Sequence, residues 1–585
     1  MIELKSLIQT VKSLGPVVGR AVSSGQLLEP QCELFEPDPD VLCEYDVEIP
    51  VSDGFRLKAN IFRSRSAERE GRRLPIIMCA HPYDNHLTPA LENTPLGGPP
   101  QQYRLIAQEG RPRFSTLTSW ESPDPDFWVR AGYAVVNLNL PGYGGSEGPP
   151  SVFTPVQARA YHDALEYVAK LPWSTGRVGL NGVSFLAITQ FFVASGHGTH
   201  GVAPPSLAAI SPWEGLSDPF RDVFLPGGVP EEGFPAFWWS TEVKPALTGK
   251  PKGFIEVEGS SPPSYSHDHP VFDDWWRAKT PILENIHVPM LVCASFSDHN
   301  LHTPGSFRAF ERVSSKHKWV YTHRGGKWDH YYSREVQELT KRFMDCFVKG
   351  EGDNGFLDVP RVRLEVRSSM DEVHEVRDVD AWPPAGRREQ TLMLGADGSL
   401  DLAAKNSDRL VMDAQEGELR FAHRFAEGRE ITGPMALELV LALEADGANG
   451  ASAPTDVCLF AYVLKRDAQG KLVHFRGSVG STSSPVTCGY GRAAMRRLDD
   501  QHTTSLQPVL AATALEPVEP GEVVKVPIGL APSATWFEAG STLEVLIATH
   551  EAIEAPPYRK TVTNERGRVV LIVGEGGSGL RVPFV

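Results

Sequence analysis

The sequence is short of positive charge. Its 57 lysines and arginines face 73 aspartates and glutamates, a net charge of −16. A nucleic acid or an anionic membrane surface requires a basic face on its partner, so both are excluded as partners. Cysteine is scarce as well: seven in 585 residues, scattered and without a C-x-x-C pair. Neither a disulfide framework nor a zinc site is indicated, and Cys79 and Cys293, set in apolar runs, read as buried strand residues. Uninterrupted apolar runs of membrane-spanning length are also lacking. The N-terminal "MIELKSLIQTVKSLGPVVGR" has apolar residues at helical spacing, but Glu3, Lys5, Lys12 and Pro16 interrupt it. That is a poor signal peptide, and the expected compartment is the cytoplasm.

What is present describes a globular protein, with 41% hydrophobic and 22% charged residues. The length exceeds a single core and points to about three or four domains. "YDVEIPVSDGFRLKANIFR" alternates apolar and polar residues around Asp53-Gly54, a hairpin pattern. "LPIIMCAHPYD" follows as a continuously apolar strand of the kind buried on both faces of a parallel sheet. A strand from Tyr133 to Leu140, a glycine-rich loop, the helical "TPVQARAYHDALEYVAKLPW" and a further strand complete a doubly wound α/β pattern. Between 211 and 280 aromatics and prolines crowd together without alternation, which reads as a helical cap. The α/β pattern resumes at "VPMLVCASFSD", and from Val359 onward short strand-like runs dominate, as in a jelly-roll β-sandwich. The expected organisation is an N-terminal extension (1–42), an α/β core in two parts (43–210 and 281–352), the cap (211–280) and the sandwich (353–585).

One short stretch carries chemistry. In "VGLNGVSFLAITQFF" a buried strand runs into Gly182-Val183-Ser184 and at once into an apolar helix. Such a corner projects a serine hydroxyl from a strained turn, the nucleophile elbow of α/β-hydrolases, and Gly182 stands where a side chain would clash. The second glycine of G-x-S-x-G is replaced by Leu186, with Ala187 the next small residue, so a simple serine helix cap remains the alternative. An acyl-transfer serine needs a base and an acid to orient it, in the chain order Ser, Asp, His. Asp298 follows the strand Pro289–Ala294, and a helix then starts with Thr303 as N-cap and Pro304 in its first turn. His323 follows the next strand, "HKWVYT". Two histidine pairs, His267/His269 and His299/His302, offer no complete metal-ligand set; no metal and no cofactor are expected.

At these residues the chain resembles the cocaine-esterase and X-Pro dipeptidyl-peptidase group of serine hydrolases, which also contains α-amino-acid ester hydrolases and glutaryl-cephalosporin acylases. "VSDGFRLKANIF" is similar to the group's opening hairpin, "HPYD" to its tyrosine-bearing loop, and "GVSFLAITQ" to its nucleophile motif. "GGVPEEGFPAFWW" and "HPVFDDWWR" resemble its cap, and "EPGEVVKVPIGLAPSATWFEAGSTLEVLIA" its C-terminal jelly roll. The resemblance implies Ser184 as nucleophile, Asp298 as acid, and Tyr83 with the Phe185 N–H as oxyanion donors. Two departures stand out: Ala187 at the glycine position, and Asn139-Leu140-Pro141 where the group has Asp-x-Arg. The common G-P-W-x-H segment is missing too. "THRGGKWDHYYS" offers His323, directly after its strand as in one branch of the group, or His330 as the base.

The function these readings imply is hydrolysis of carboxylic esters through an acyl-enzyme, a carboxylesterase activity. X-Pro dipeptidyl-peptidase or amide and β-lactam side-chain acylase activity is the alternative, and a carbohydrate-binding scaffold with an inactive hydrolase domain is the reading from another class. Trp213, Phe237, Trp238 and Trp239 of the cap would receive an apolar or aromatic acyl group. The partner is a small-molecule ester or amide; a homo-oligomer is left open.

Overall fold

The computed structural model describes residues 15, 17–23, 32–91, 102–106, 109–447, 452–562 and 564–585. The expected N-terminal extension therefore lies largely outside the described residues. The first hairpin pairs β1 (Val41–Pro50) antiparallel with β2 (Arg56–Ser64), turning through Gly54 at φ 86°. A positive φ is open to glycine at no steric cost. Next come β3 (Leu74–His81), β4 (Ala134–Asn139), β5 (Ser174–Val183), β6 (Leu207–Trp213), β7 (Met290–Cys293), β8 (Lys318–Tyr321) and β9 (Val362–Arg367). β2 pairs antiparallel with β4, and from there the order β4-β3-β5-β6-β7-β8-β9 is parallel throughout. Every residue of β3, β4 and β7 is buried, as expected for strands covered by helices on both faces. This is an α/β-hydrolase sheet.

The register sets the site. Val183 pairs with Trp213, Trp213 with Cys293, and Cys293 with Tyr321, so four parallel strands end on one line. The residues that follow them emerge together at the carboxyl edge of the sheet, where open α/β folds bind ligands.

Between Trp213 and Met290 the chain forms short helices, among them Gly233–Trp238 and Pro251–Glu258. They pack by their aromatics: Phe224 lies 5.2 Å from Tyr265 and 5.3 Å from Trp276 between ring centres. A buried Lys279–Glu258 pair at 2.6 Å fastens this segment, with Glu258 also accepting the Val152 N–H. Beyond β9 the chain is β-rich. One sheet contains Glu418–Arg424, Thr542–Ala548, Cys458–Arg466 and Thr487–Arg492. The facing sheet contains Asp408–Asp413, Arg568–Val573, Arg429–Glu444 and Val524–Phe537. Leu437, Leu439 and Leu441 meet Ala461, Val463 and Val545 in the core between them, giving a C-terminal β-sandwich. All seven cysteines are free. Among the described residues no helix is long and apolar enough to cross a membrane.

Candidate active site

Ser184 sits at φ 56°, ψ −117°, immediately before the helix Phe185–Ala194. For a residue with a Cβ this is a strained conformation, and backbone bonds hold it. The Ser184 N–H donates to the Trp213 carbonyl, while its own carbonyl accepts the N–H groups of Ala187 and Ile188. Its hydroxyl makes no capping bond to the helix, which disposes of the helix-cap reading. A Cβ on Gly182, at φ 153°, would lie 2.6 Å from the Leu186 Cβ. The lost second glycine is made up elsewhere: a Cβ on Gly215, beyond β6, would lie 2.9 Å from the Ala187 Cβ.

Ser184 Oγ lies 3.3 Å from Nε2 of His302. His302 Nδ1 lies 2.5 Å from Asp298 Oδ2, and Lys327 Nζ donates to the same oxygen at 2.6 Å. Asp298 thus takes the expected place, and His302 rather than His323 or His330 is bonded to the serine. The turn after β7 explains it. The N–H groups of Leu301, His302 and Thr303 all donate to the Asp298 carbonyl, and that tight turn lays the side chain at i+4 beside that at i. The helix Thr303–Arg312 begins with His302, not Thr303, at its N-cap; the Thr303 hydroxyl donates instead to the Ser295 carbonyl. Burial raises the Asp298 carboxyl, but Lys327 and His302 outweigh it and hold the group far below the usual range. His302 is held below its ordinary value by burial and by Lys327, with Asp298 opposing. Burial also opposes the charge on Lys327, yet Asp298, Glu214 and Glu121 keep it protonated.

His323 does emerge at the carboxyl edge of the sheet, but it turns away from the serine. Its Nε2 lies 3.1 Å from Glu214 Oε1, and its Nδ1 accepts the Gly325 N–H. The fully buried ring is packed against Trp213 and, at 4.1 Å, His330. The Phe296 N–H donates to the His323 carbonyl at 2.7 Å and keeps this segment running beside the loop after β7. His330 lies behind it, its pKa pushed down to about 2 by burial and by His323. Glu214, Cys293 and His323 bring ligand-type atoms within 4.8 Å of one another. The Glu214 oxygens are already taken by His323 and the Ser295 hydroxyl, so hydrogen bonding accounts for the cluster.

Phe185 is the first residue of its helix, where the backbone N–H has no partner within the helix. Tyr83 borders the same cavity as Ser184. Its hydroxyl accepts from Trp238 Nε1 at 3.3 Å and is hydrogen-bonded to Glu242; burial, Glu242 and Glu121 raise its pKa, so it stays protonated. Asn139, in place of the group's aspartate, anchors this loop from both ends of its amide. It donates to the Gly144 carbonyl at 2.7 Å and accepts the Asn85 N–H at 3.1 Å.

Two chambers meet at Ser184, sharing Tyr83, Phe234, Trp238, Leu301 and His302. The larger holds the ionisable groups, with Glu121, Glu242, Lys327 and Arg476 in its wall. Burial raises the Glu121 carboxyl well above its ordinary value. The smaller is lined by Phe153, Phe185, Ile188, Leu216, Val223 and Phe224. Of the four cap aromatics expected at substrate, Phe237 and Trp238 border the larger chamber. Trp213 and Trp239 do not line either one. Trp213 packs on Tyr321, His323 and Tyr331, and Trp239 on Phe254 at 4.7 Å. The β-sandwich adds wall residues that sequence reading passed over, Arg476 to Gly480 and Tyr558.

Comparison with known proteins supports the fold and the family. Residues 53–332 match the X-Pro dipeptidyl-peptidase (S15 family) model, and residues 354–571 the X-Pro dipeptidyl-peptidase C-terminal non-catalytic domain. A CocE/NonD family hydrolase from Staphylococcus aureus superposes with a TM-score of 0.83 at 31% identity, over 93% of this chain and 94% of that one. The chain belongs to the S15/CocE family of hydrolases. Cocaine esterase from Rhodococcus sp. (strain MB1 Bresler) is 25% identical over 60% of this chain and 62% of its own length. A putative Xaa-Pro dipeptidyl-peptidase from Bacillus anthracis is 23% identical over 63% of each. This S15/CocE chain therefore matches under two thirds of the length of either of these relatives.

Proposed function

We propose that this serine hydrolase cleaves carboxylic esters through an acyl-enzyme on Ser184. The observation that carries the reading is the hydrogen-bonded run Ser184–His302–Asp298 at the junction of the two chambers. In it His302 Nε2 takes the Ser184 proton as Oγ attacks the ester carbonyl, and Asp298 holds the Nδ1 proton and stabilises the imidazolium. The Phe185 N–H and the Tyr83 hydroxyl, which would turn from Glu242, are assigned as donors to the oxyanion, each worth roughly 10²–10³ in rate. His302 then protonates the departing alkoxide, and a water, deprotonated by the same imidazole, releases the acid.

The acyl group is assigned to the smaller chamber, against Phe185. Its lining carries no carboxylate, lysine or arginine, which suits an apolar acyl group. An Xaa-Pro acyl group is the second reading: its proline would fill the same apolar chamber and its ammonium would need a carboxylate such as Glu121 or Glu242 of the larger one. A binding scaffold without chemistry has no use for a strained serine bonded to an imidazole. The test is a series of p-nitrophenyl esters of graded acyl length beside an Xaa-Pro-p-nitroanilide. Ester turnover at least tenfold the higher in kcat/KM supports the proposal; the reverse order assigns the site to peptides.

A further inference from the structure

Lys327 is the residue that the relay Ser–His–Asp does not account for. It opens the short helix Lys327–Tyr331 after Gly325-Gly326, and a Cβ on Gly325 would lie 2.4 Å from His330 Nε2 and 2.6 Å from Glu109 Oε2. That loop delivers the ammonium to 2.6 Å from Asp298 Oδ2 and 3.0 Å from His302 Nδ1. With Oδ2 only 2.5 Å from Nδ1, the imidazole proton belongs between those two atoms. Lys327 therefore donates to the carboxylate and presses its charge on the imidazole edge. A carboxylate that also serves a cation stabilises an adjoining imidazolium less than one that serves the imidazole alone.

We propose that Lys327 is a positioning residue for His302, sharing Asp298 Oδ2 with the imidazole and setting the pH range over which Ser184 is activated. The inference rests on the proposed role of His302 as the base of Ser184. The carboxylates around this point work against the cation, and one further cation works with it. Glu214 Oε2 lies 3.8 Å from Lys327 Nζ, Glu121 adds to the field on Lys327, and Glu242 stands in the same chamber wall, where Arg476 is the second positive charge. Lys327 makes the closest contact with the imidazole after Asp298, and burial acts in the same direction as the cation on His302. Two consequences follow for the reaction. His302 remains neutral, and so able to accept the serine proton, at a lower pH than an ordinary imidazole. Its conjugate acid is correspondingly stronger when it protonates the leaving oxygen. No proton of Lys327 is consumed.

The test is the pH profile of kcat/KM for wild type, Lys327→Met and Lys327→Arg, each normalised to the fraction of Ser184 titrated by a fluorophosphonate. The wild-type ascending limb is expected below about 6.5, the ordinary imidazole value. In Lys327→Met it moves to higher pH, so that the ratio of kcat/KM at pH 5 to that at pH 8 falls by roughly tenfold or more relative to wild type. Lys327→Arg restores most of the wild-type limb. A Lys327→Met limb that superposes on wild type overturns the proposal, and so does a wild-type limb at or above about 6.5, which needs no variant to fold. A wild type whose Ser184 is not labelled removes the proposed function itself; a labelled wild type with an unmoved limb removes only the role of Lys327.

Discussion

Asp298 and His302, four residues apart on one turn, share a hydrogen bond of 2.5 Å between Oδ2 and Nδ1. The proposed acid and base thus come from a single loop after β7, and the loop after β8 supplies a lysine. Catalytic and structural histidines are separable in this arrangement, which makes their roles testable one at a time.

His323 bonds to Glu214 and Gly325, outside the run Ser184–His302–Asp298. His323→Gln should leave kcat/KM within about threefold of wild type, because nothing in the relay bonds to it. Stability should fall by about 1–3 kcal/mol, since Glu214 Oε1 and the Gly325 N–H lose well-aligned buried partners. Steady-state kinetics beside denaturant unfolding of the same preparation measure both.

Tyr83→Phe should lower kcat by on the order of 10²–10³ with little change in KM, the mark of a donor used in the transition state. A loss below threefold would assign the hydroxyl to its Trp238 and Glu242 contacts alone.

Val223→Phe should shift acyl preference. Val223 is buried and lines the apolar chamber behind Ser184, so a larger ring there takes up acyl space. The ratio of kcat/KM for an octanoyl to an acetyl p-nitrophenyl ester should drop by roughly tenfold or more, the effect of excluding a few methylenes. An unchanged ratio would place the acyl group in the larger chamber, among its ionisable groups.

Much of the fold is legible in the sequence because buried parallel strands such as Leu74–His81 are apolar without a break. Strands with little buried surface are not: Val373–Val379 is exposed along most of its length and shows no two-residue period to read. Ser184 and Asp298 were legible for a local reason, since each directly follows a buried strand or its short extension. His302 was not. In "SDHNLH" it belongs to an irregular turn whose geometry is set by three N–H groups converging on the Asp298 carbonyl, and no periodicity encodes that. The one available signal was the i, i+4 spacing of an aspartate and a histidine just ahead of a helix. Arg476 and Tyr558 reach the cavity from the β-sandwich, a tertiary relation invisible to any local pattern.

Fluorophosphonate labelling reads the activation of Ser184 by His302 without a substrate. Wild type, His302→Ala and His323→Gln, each shown folded by circular dichroism, would be reacted at pH 8 and the modified peptide mapped by mass spectrometry. If His302 is the base, Ser184 is labelled in wild type and in His323→Gln at similar rates, and in His302→Ala at a rate lower by on the order of 10³ or more. A His302→Ala protein labelled at the wild-type rate beside an unreactive His323→Gln would contradict it.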